Sequence, residues 1–287
     1  MRVASVHVSK PVDASVLGLF DRLTAVAGGL GVPILVIGAA ARDLVFEHVY
    51  GVLTERATRD VDVAVVAKTW AHYAGLRDAL VGAGLTRHPT QVQRLSDPSG
   101  VVVDMIPYGD VAEADGCIRW PDDGALMSVV GFEDAFRHAV RVQIRKEGAL
   151  PALVVPVASP PALAVLKLVA WNDRQQERRR DMVDLAFIIK HYLEAGNRDR
   201  LLRGEHPDLL AREHFDSDLV SAELLGRDMR SLASARTREV VAAILRRETG
   251  SGSRREMLHV LRAAWAGDFR RAQTVARELC AGFTGAE

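Results

Sequence analysis

The chain has 287 residues, of which 48% are hydrophobic and 26% are charged, and its 37 basic residues balance its 37 acidic residues. This composition is that of a globular protein with one large or two modest domains, and its zero net charge excludes a basic surface over the whole molecule. The sequence contains no run of about 18 apolar residues, so no membrane span is expected. Cys117 and Cys280 match no metal-site spacing, and the N-terminus lacks the apolar core of a signal peptide, so a reduced, cytoplasmic setting is expected.

The predicted elements of the first half are mostly strands. Residues 13–30 carry apolar side chains at helical spacing, which predicts an amphipathic first helix. Apolar runs then predict strands at 34–37, 61–66, 101–106, 140–145 and 152–157. Helices are expected at 39–48 and 69–82. A hairpin is predicted between 91–95 and 101–106, because Asp97-Pro-Ser-Gly100 is a strong turn signal.

The second half is predicted to be helical. Its helical segments are 162–172, 181–195, 217–230, 236–248, 254–266 and 268–281. Strands followed by helices predict an α+β chain with a boundary near Pro156–Pro161. We therefore expect an α/β domain over residues 1–158 and a helical domain over residues 159–287.

Three aspartates are the first candidate site residues. Asp60 and Asp62 begin the predicted strand 61–66 and point the same way, because a strand alternates its side chains between faces. Two carboxylates on one face attract a hard divalent cation, although a solvated strand end with two turn-forming aspartates is the alternative. Asp104, flanked by apolar residues on another strand, either completes a three-carboxylate cup or faces water from an edge strand. Three such acids suit two-metal phosphoryl or nucleotidyl transfer.

A glycine and an arginine follow the strand at 34–37. Gly38 stands between this strand and a predicted helix, where backbone can approach a phosphate closely, or where it only forms a tight turn. Arg42, one turn into the helix, either clamps a phosphate or pairs with Asp43 or Glu47.

Charged residues also interrupt the helical half. Lys167 lies in an apolar helix, where it must snorkel or find an anion. Arg174 and the run 178–180 form a cationic cluster or a solvated loop. Asp181 and Asp184 share one helix face, and Asp181 also fits a cap or first-turn acid that matches the helix dipole.

The order of these residues resembles the AbiEii/AbiGii-type nucleotidyltransferases. This family belongs to the DNA polymerase β-like superfamily and includes toxins of type IV toxin–antitoxin systems. The resemblance covers residues 30–195. It implies a polymerase β-like core with a mixed sheet, followed by a helical domain that completes the nucleotide site. The motif residues that carry it are, in chain order, Gly38, Arg42-Asp43-Leu44, Arg59-Asp60-Val61-Asp62, Asp104, Lys167, Asp173-Arg174, Arg180-Asp181 and Asp184-Leu185.

The resemblance also implies a role for each residue. Asp60 and Asp62 would hold Mg²⁺ or Mn²⁺, with Asp104 as a third acid. Lys167 would contact a phosphate of the substrate NTP, and Asp181 would act in or beside the catalytic centre. The residues implied to bind or support the nucleotide are Gly38, Ala39, Arg42, Arg174 and Asp184.

Two features depart from the superfamily pattern. Gly38 is followed by Ala39, where the superfamily has glycine or serine, so a phosphate-facing hydroxyl is missing. The interval from Gly38 to Asp60 is longer than in compact members, and residues 50–58 are interpreted as a loop over the site.

Three functions follow as hypotheses. The first is Mg²⁺-dependent transfer of a nucleotide to an acceptor hydroxyl, at an RNA or tRNA 3′ end or on a protein, by a toxin with a cognate antitoxin. The second is a small-molecule, antibiotic-modifying nucleotidyltransferase. The third is an inactive binding partner, which Ala39 favours and the three aspartates oppose. For the second hypothesis, an acidic stretch either receives an amine-rich drug or forms a solvated loop. Its residues are Asp110, Glu113, Asp115, Asp122 and Asp123.

Overall fold

The computed structural model describes residues 5–54, 60–145, 152–175, 177, 179–212, 214–250 and 255–285. The chain divides into two compact units, Met1–Ser159 and Pro160–Glu287. The division lies within the segment Pro156–Pro161, where the sequence changes from strand to helix patterns. We refer to the two parts as unit 1 and unit 2.

Unit 1 is built on an eight-stranded mixed sheet in the order β1-β9-β10-β2-β3-β6-β5-β4, with β7 and β8 as a separate hairpin. The strands are β1 (Ser5–His7), β2 (Ile34–Ile37), β3 (Asp60–Val66), β4 (Thr86–Arg87), β5 (Arg94–Ser96), β6 (Val102–Tyr108), β7 (Cys117–Arg119), β8 (Leu126–Ser128), β9 (Val140–Ile144) and β10 (Leu153–Val157). The predicted hairpin is confirmed, because β5 and β6 pair antiparallel.

The helices of unit 1 are α1 (Ala14–Gly29), α2 (Gly38–Asp43), α3 (Trp70–Gly82) and α4 (Phe132–Arg137). The helix α1 begins at Asp13, whose carboxylate accepts the Ser15 amide at 2.8 Å, and it buries an apolar stripe that includes Phe20 and Leu23. The helix predicted at 39–48 is present as α2, which continues directly into a π-helical segment, Leu44–Val49.

The core of the sheet explains the position of the acidic residues. Along β3, Val61 and Val63 are buried, whereas Asp60 is exposed and Asp62 is half-buried. This period of two places valines on the packed face and aspartates on the other. The central position of β3, between β2 and β6, fixes its register on both sides.

Unit 2 consists of helices in the part that the structure describes. They are α5 (Pro160–Asp173), α6 (Arg179–His191), α7 (Arg198–Leu202), α8 (Pro207–Leu210), α9 (Ser217–Leu232), α10 (Ala235–Thr249), α11 (Glu256–Leu261) and α12 (Phe269–Thr284). The predicted helix 181–195 is shorter than expected at its end, because α6 stops at His191 and a π-helical segment with Gly196 at φ 79° follows. The predicted fold class, α+β with a mixed sheet and a helical second half, is confirmed.

Two glycines bring α9 and α12 into backbone contact. A Cβ added at Gly226 would lie 2.7 Å from the Phe283 amide nitrogen, and one added at Gly282 would overlap the Glu223 carbonyl. Only residues without a Cβ allow helices to approach so closely. The buried residues of α12, which include Val275 and Leu279, extend the contact into an apolar seam.

None of the helices in the described ranges has the length and apolar character that crossing a bilayer requires.

Candidate active site

Gly38 permits the closest contact of the site. It follows β2 and opens α2 with a φ of +67°, a left-handed conformation that costs an L-residue about 1–2 kcal/mol. A Cβ at this position would lie 2.9 Å from the Asp62 carboxyl carbon and would overlap its Oδ2 atom. The glycine therefore lets the Asp62 carboxylate lie directly against the backbone at the start of α2.

The three candidate acids share one face of the sheet. In the parallel pair β3–β6, Asp62 lies opposite Asp104, and Asp60 lies two residues earlier on β3. Partners in register project to the same face, as do residues two apart on one strand. Within the described residues, no group of three or more His, Cys, Asp or Glu side chains is arranged to hold a metal ion. The metal role of Asp60, Asp62 and Asp104 therefore stays a prediction.

Asp104 is held by an arginine that the sequence reasoning did not select. Arg94 lies opposite Asp104 in the antiparallel pair β5–β6. Its Nε donates to Oδ1 at 2.8 Å, and its Nη2 donates to Oδ2 at 2.6 Å. Because β6 lies between β3 and β5, the interpretation of Asp104 as an edge-strand residue is wrong. The predicted hairpin places both residues on paired strands, but only the observed register sets Arg94 across from Asp104.

Arg94 also experiences the charge of the neighbouring acids. The hydrogen bond to Asp104 raises the pKa of the Arg94 guanidinium, burial opposes the shift, and the charges of Asp104, Asp60 and Asp62 add to it. The side chains of Arg94 and Asp104 are 27% and 16% exposed, so the pair is partly shielded from water. Three carboxylates and one arginine therefore form an electrostatically coupled group, which we call the acidic face.

In unit 2, the buried Lys167 pairs with two aspartates. Its Nζ donates to Asp181 Oδ1 at 2.8 Å and to Asp184 Oδ2 at 2.6 Å. All three side chains are about one-tenth exposed. Burial alone would lower the pKa of the Lys167 ammonium, but the charges of the two carboxylates and their hydrogen bonds outweigh burial and raise it.

The helix positions explain this triad. Lys167 belongs to α5, which is buried almost throughout, and both aspartates belong to α6. Asp181 lies in the first turn of α6, where its charge also matches the helix dipole, and Asp184 follows on the same face. Both interpretations of Asp181, as a first-turn acid and as a site residue, are compatible with this geometry.

A family model described as nucleotidyl transferase AbiEii toxin, type IV TA system, matches residues 47–274. The chain belongs to this AbiEii family. The resemblance inferred from the motif residues is confirmed, and the AbiEii chain is accordingly a nucleotidyltransferase. A comparison with curated proteins gave no match.

Several solved structures are similar to this chain. The antibiotic-resistance factor ANT(2'')-Ia has 16% identity, covering 69% of this chain and 98% of that chain with a TM-score of 0.36. An antigenic nucleotidyltransferase-like protein from Paracoccidioides brasiliensis has 16% identity, with 70% and 94% coverage and a TM-score of 0.38. A CCA-adding enzyme in complex with ATP has 15% identity, with 91% and 67% coverage and a TM-score of 0.29. Each likeness is distant.

Two arginines predicted to bind nucleotide have protein partners in the AbiEii chain. The buried Arg42 donates to Asp43 Oδ1 from Nε at 2.9 Å and from Nη2 at 2.6 Å, and this pairing is among the alternatives considered for it. Arg174 lies at the surface, 3.6 Å from a carboxylate oxygen of Glu177. The nucleotide-binding roles of Arg42 and Arg174, and of Ala39, stay predictions.

Parts of two predicted features lie outside the described residues. The loop predicted at 50–58 includes residues 55–59, which are not described, and the arginine cluster includes Arg178, which is also not described. The described start of the loop is anchored, because the Thr54 hydroxyl donates to Glu47 at 2.5 Å. This hydrogen bond lowers the pKa of Glu47.

The acidic stretch of unit 1 forms local contacts. Asp115 accepts the Cys117 amide at 2.9 Å, and Asp123 accepts the Ala125 amide at 2.9 Å. These hydrogen bonds shape the turn that precedes β7 and the turn that precedes β8, as short acidic side chains commonly do. The contacts favour the interpretation of this stretch as a solvated turn region over that of a drug-binding pocket.

Proposed function

We propose that the chain transfers a nucleoside monophosphate from an NTP to an acceptor hydroxyl, with pyrophosphate as the leaving group. The observation that carries this proposal is the contact of the Asp62 carboxylate with the Gly38 backbone, in register with Asp104. The glycine leaves free the volume that any Cβ would fill, and the Asp62 carboxylate occupies that volume. Family membership supports the reaction class.

The acidic face suits a divalent ion as a cofactor. Asp60, Asp62 and Asp104 offer only oxygen ligands, which are the ligands that Mg²⁺ and Mn²⁺ prefer. When bound, such an ion would activate the acceptor hydroxyl and neutralise charge on the leaving pyrophosphate. The three carboxylates would hold the ion, and Gly38 and Ala39 would present backbone amides to the triphosphate.

The Lys167 ammonium has one N–H donor beyond the two that the aspartates accept. An ammonium group has three N–H donors, and Asp181 and Asp184 take two of them. We assign the third donor to a nucleotide phosphate and assign Asp181 and Asp184 to holding the ammonium in place. This role uses the lysine as a positioned charge, which needs no proton transfer.

The family description supports a biological role as the toxin of a type IV toxin–antitoxin pair, with a cognate antitoxin as partner. We propose that the acceptor hydroxyl belongs to the 3′ end of an RNA such as tRNA, or to a protein. The two classes are separated by the test below.

The test is transfer of label from each of the four α-³²P-labelled NTPs, with Mg²⁺, to tRNA or to a protein extract. We expect labelled RNA, and we expect no labelling of RNA whose 3′-terminal diol has been oxidised with periodate. Labelled protein that resists nuclease would identify a protein acceptor instead.

Two matched variants make this test specific. Asp62→Asn keeps the shape of the side chain and removes its charge, so transfer is expected to fall at least about a hundredfold. Asp110→Asn makes the same change at an exposed position of unit 1 and should leave transfer unchanged. Absence of transfer by the wild-type protein, or equal transfer by Asp62→Asn, would refute the proposed function.

A further inference from the structure

The acidic face already contains a cation of the protein's own. Arg94 binds both oxygens of Asp104 through two parallel hydrogen bonds of 2.8 and 2.6 Å. This fork geometry is specific to a guanidinium and fixes the orientation of the carboxylate as well as neutralising its charge. The strand register is responsible, because Arg94 lies directly opposite Asp104 on β5.

The charges of this face set a limit on the ions that it can bind. Asp60, Asp62 and Asp104 carry three negative charges, and Arg94 offsets one of them. Arg94 lies opposite Asp104 on β5, and Asp104 lies opposite Asp62 on β3, so the positive charge of the arginine stands beside the three acids on neighbouring strands. A divalent ion bound there would be repelled by Arg94 and would share Asp104 with it.

We propose that Arg94 is a positioning residue that orients Asp104 and, through its charge, keeps the affinity of the acidic face for divalent ions low. The inference rests on the proposed function, because it takes the three carboxylates as the metal site. With Arg94 present, one divalent ion neutralises the face, and a further ion is favoured only when the phosphates of an NTP add negative charge.

The first test measures binding of Mn²⁺ to the nucleotide-free protein, by electron paramagnetic resonance at low ionic strength. Arg94→Gln removes the repelling charge, so Mn²⁺ should bind at least about tenfold more tightly, given the doubled charge of the ion and a water-like dielectric. Arg94→Lys keeps the charge, so the Mn²⁺ affinity should stay within about twofold of the wild-type value.

The two variants also separate charge from orientation. Lysine cannot hold both Asp104 oxygens in a planar fork, so Arg94→Lys should lower kcat while leaving the KM for NTP nearly unchanged. Arg137→Gln is the matched control, because it removes the same charge from an exposed pair with Glu133 on α4. It should change neither Mn²⁺ affinity nor kcat.

Stability is measured alongside binding. Arg94→Gln leaves Asp104 without its arginine, so the melting temperature of the variant in EDTA should be lower than that of the wild type. Addition of Mn²⁺ should then raise the melting temperature of the variant by more than that of the wild type. A purely structural arginine would give the same Mn²⁺-induced rise in both proteins. Equal or weaker Mn²⁺ binding by Arg94→Gln, or equal tightening by Arg94→Lys, would overturn the inference.

A further variant separates this inference from the proposed function. If Asp62→Asn abolishes Mn²⁺ binding while Arg94→Gln leaves the affinity unchanged, the role of Arg94 is wrong and the metal site stands. If Asp62→Asn leaves Mn²⁺ binding intact, the acidic face is not the metal site, and both proposals fail.

Discussion

Replacing Lys167 by methionine tests the buried triad of unit 2. Methionine has a similar length and no charge, so the change leaves the Asp181 and Asp184 carboxylates buried without their shared cation. All three side chains are about one-tenth exposed, and the hydrogen bonds of 2.8 and 2.6 Å are those of a tight ionic contact. Removing one partner of such a buried group costs about 3–5 kcal/mol of stability.

The stability of the wild-type protein should depend on pH at the alkaline end. The folded state raises the pKa of Lys167 above its unfolded value of about 10.4. The stabilisation from this lysine is therefore complete below that unfolded value and is lost as the pH rises through the higher folded value. Lys167→Met should lack this alkaline loss.

The assay is urea-induced unfolding followed by far-ultraviolet circular dichroism, which reports on the helices of both units and therefore includes those that carry the triad. Lys190→Met on the same helix as the two aspartates is the control, because Lys190 is exposed and bonds only a backbone carbonyl in the described structure. We expect it to cost under about 1 kcal/mol. The reasoning is refuted if Lys167→Met costs no more than Lys190→Met, or if Lys167→Met loses stability at alkaline pH to the same extent as the wild type.

Two further predictions concern glycines. Gly38→Ala forces a Cβ into the volume of the Asp62 carboxylate. Transfer activity in the labelled-NTP assay should therefore fall about a hundredfold or more, as expected for misplaced catalytic groups. Activity equal to that of the wild type would refute the role of this contact. Gly226→Ala should lower the stability of unit 2 by about 1–3 kcal/mol in urea, because backbone of α12 fills the space. Gly18→Ala, on an open face of α1, should instead raise stability by about 0.5–1 kcal/mol, and equal effects of the two changes would contradict the close packing.

The elements that carry the site were predictable because their patterns are local. The alternation of valine and aspartate identified β3, and Asp97-Pro-Ser-Gly100 identified the hairpin before β6. The shared face of the three aspartates followed from these two elements. The family resemblance added Gly38, Arg42 and the charged residues from Lys167 to Asp184, whose order along the chain is also visible in the sequence.

The contacts that could not be predicted depend on register and on three-dimensional proximity. Nothing local to Arg94 distinguishes it from a surface arginine, because its partner Asp104 is assigned only once the hairpin register is known. The end of α6 was misplaced because residues up to 195 continue a helical pattern, whereas the chain changes direction at Gly196. The short helices α7 and α8 contain too few residues for a periodicity to appear.

The glycine contact between α9 and α12 has a consequence for the order of events during translation. The helix α9 also contacts α5 and α6, which carry Lys167 and its two aspartates. The ribosome makes α9 well before α12, so the backbone of α12 is not yet available to Gly226 while α10 and α11 are being synthesised. The helices that carry the buried triad can therefore contact α9 before the seam between α9 and α12 has formed.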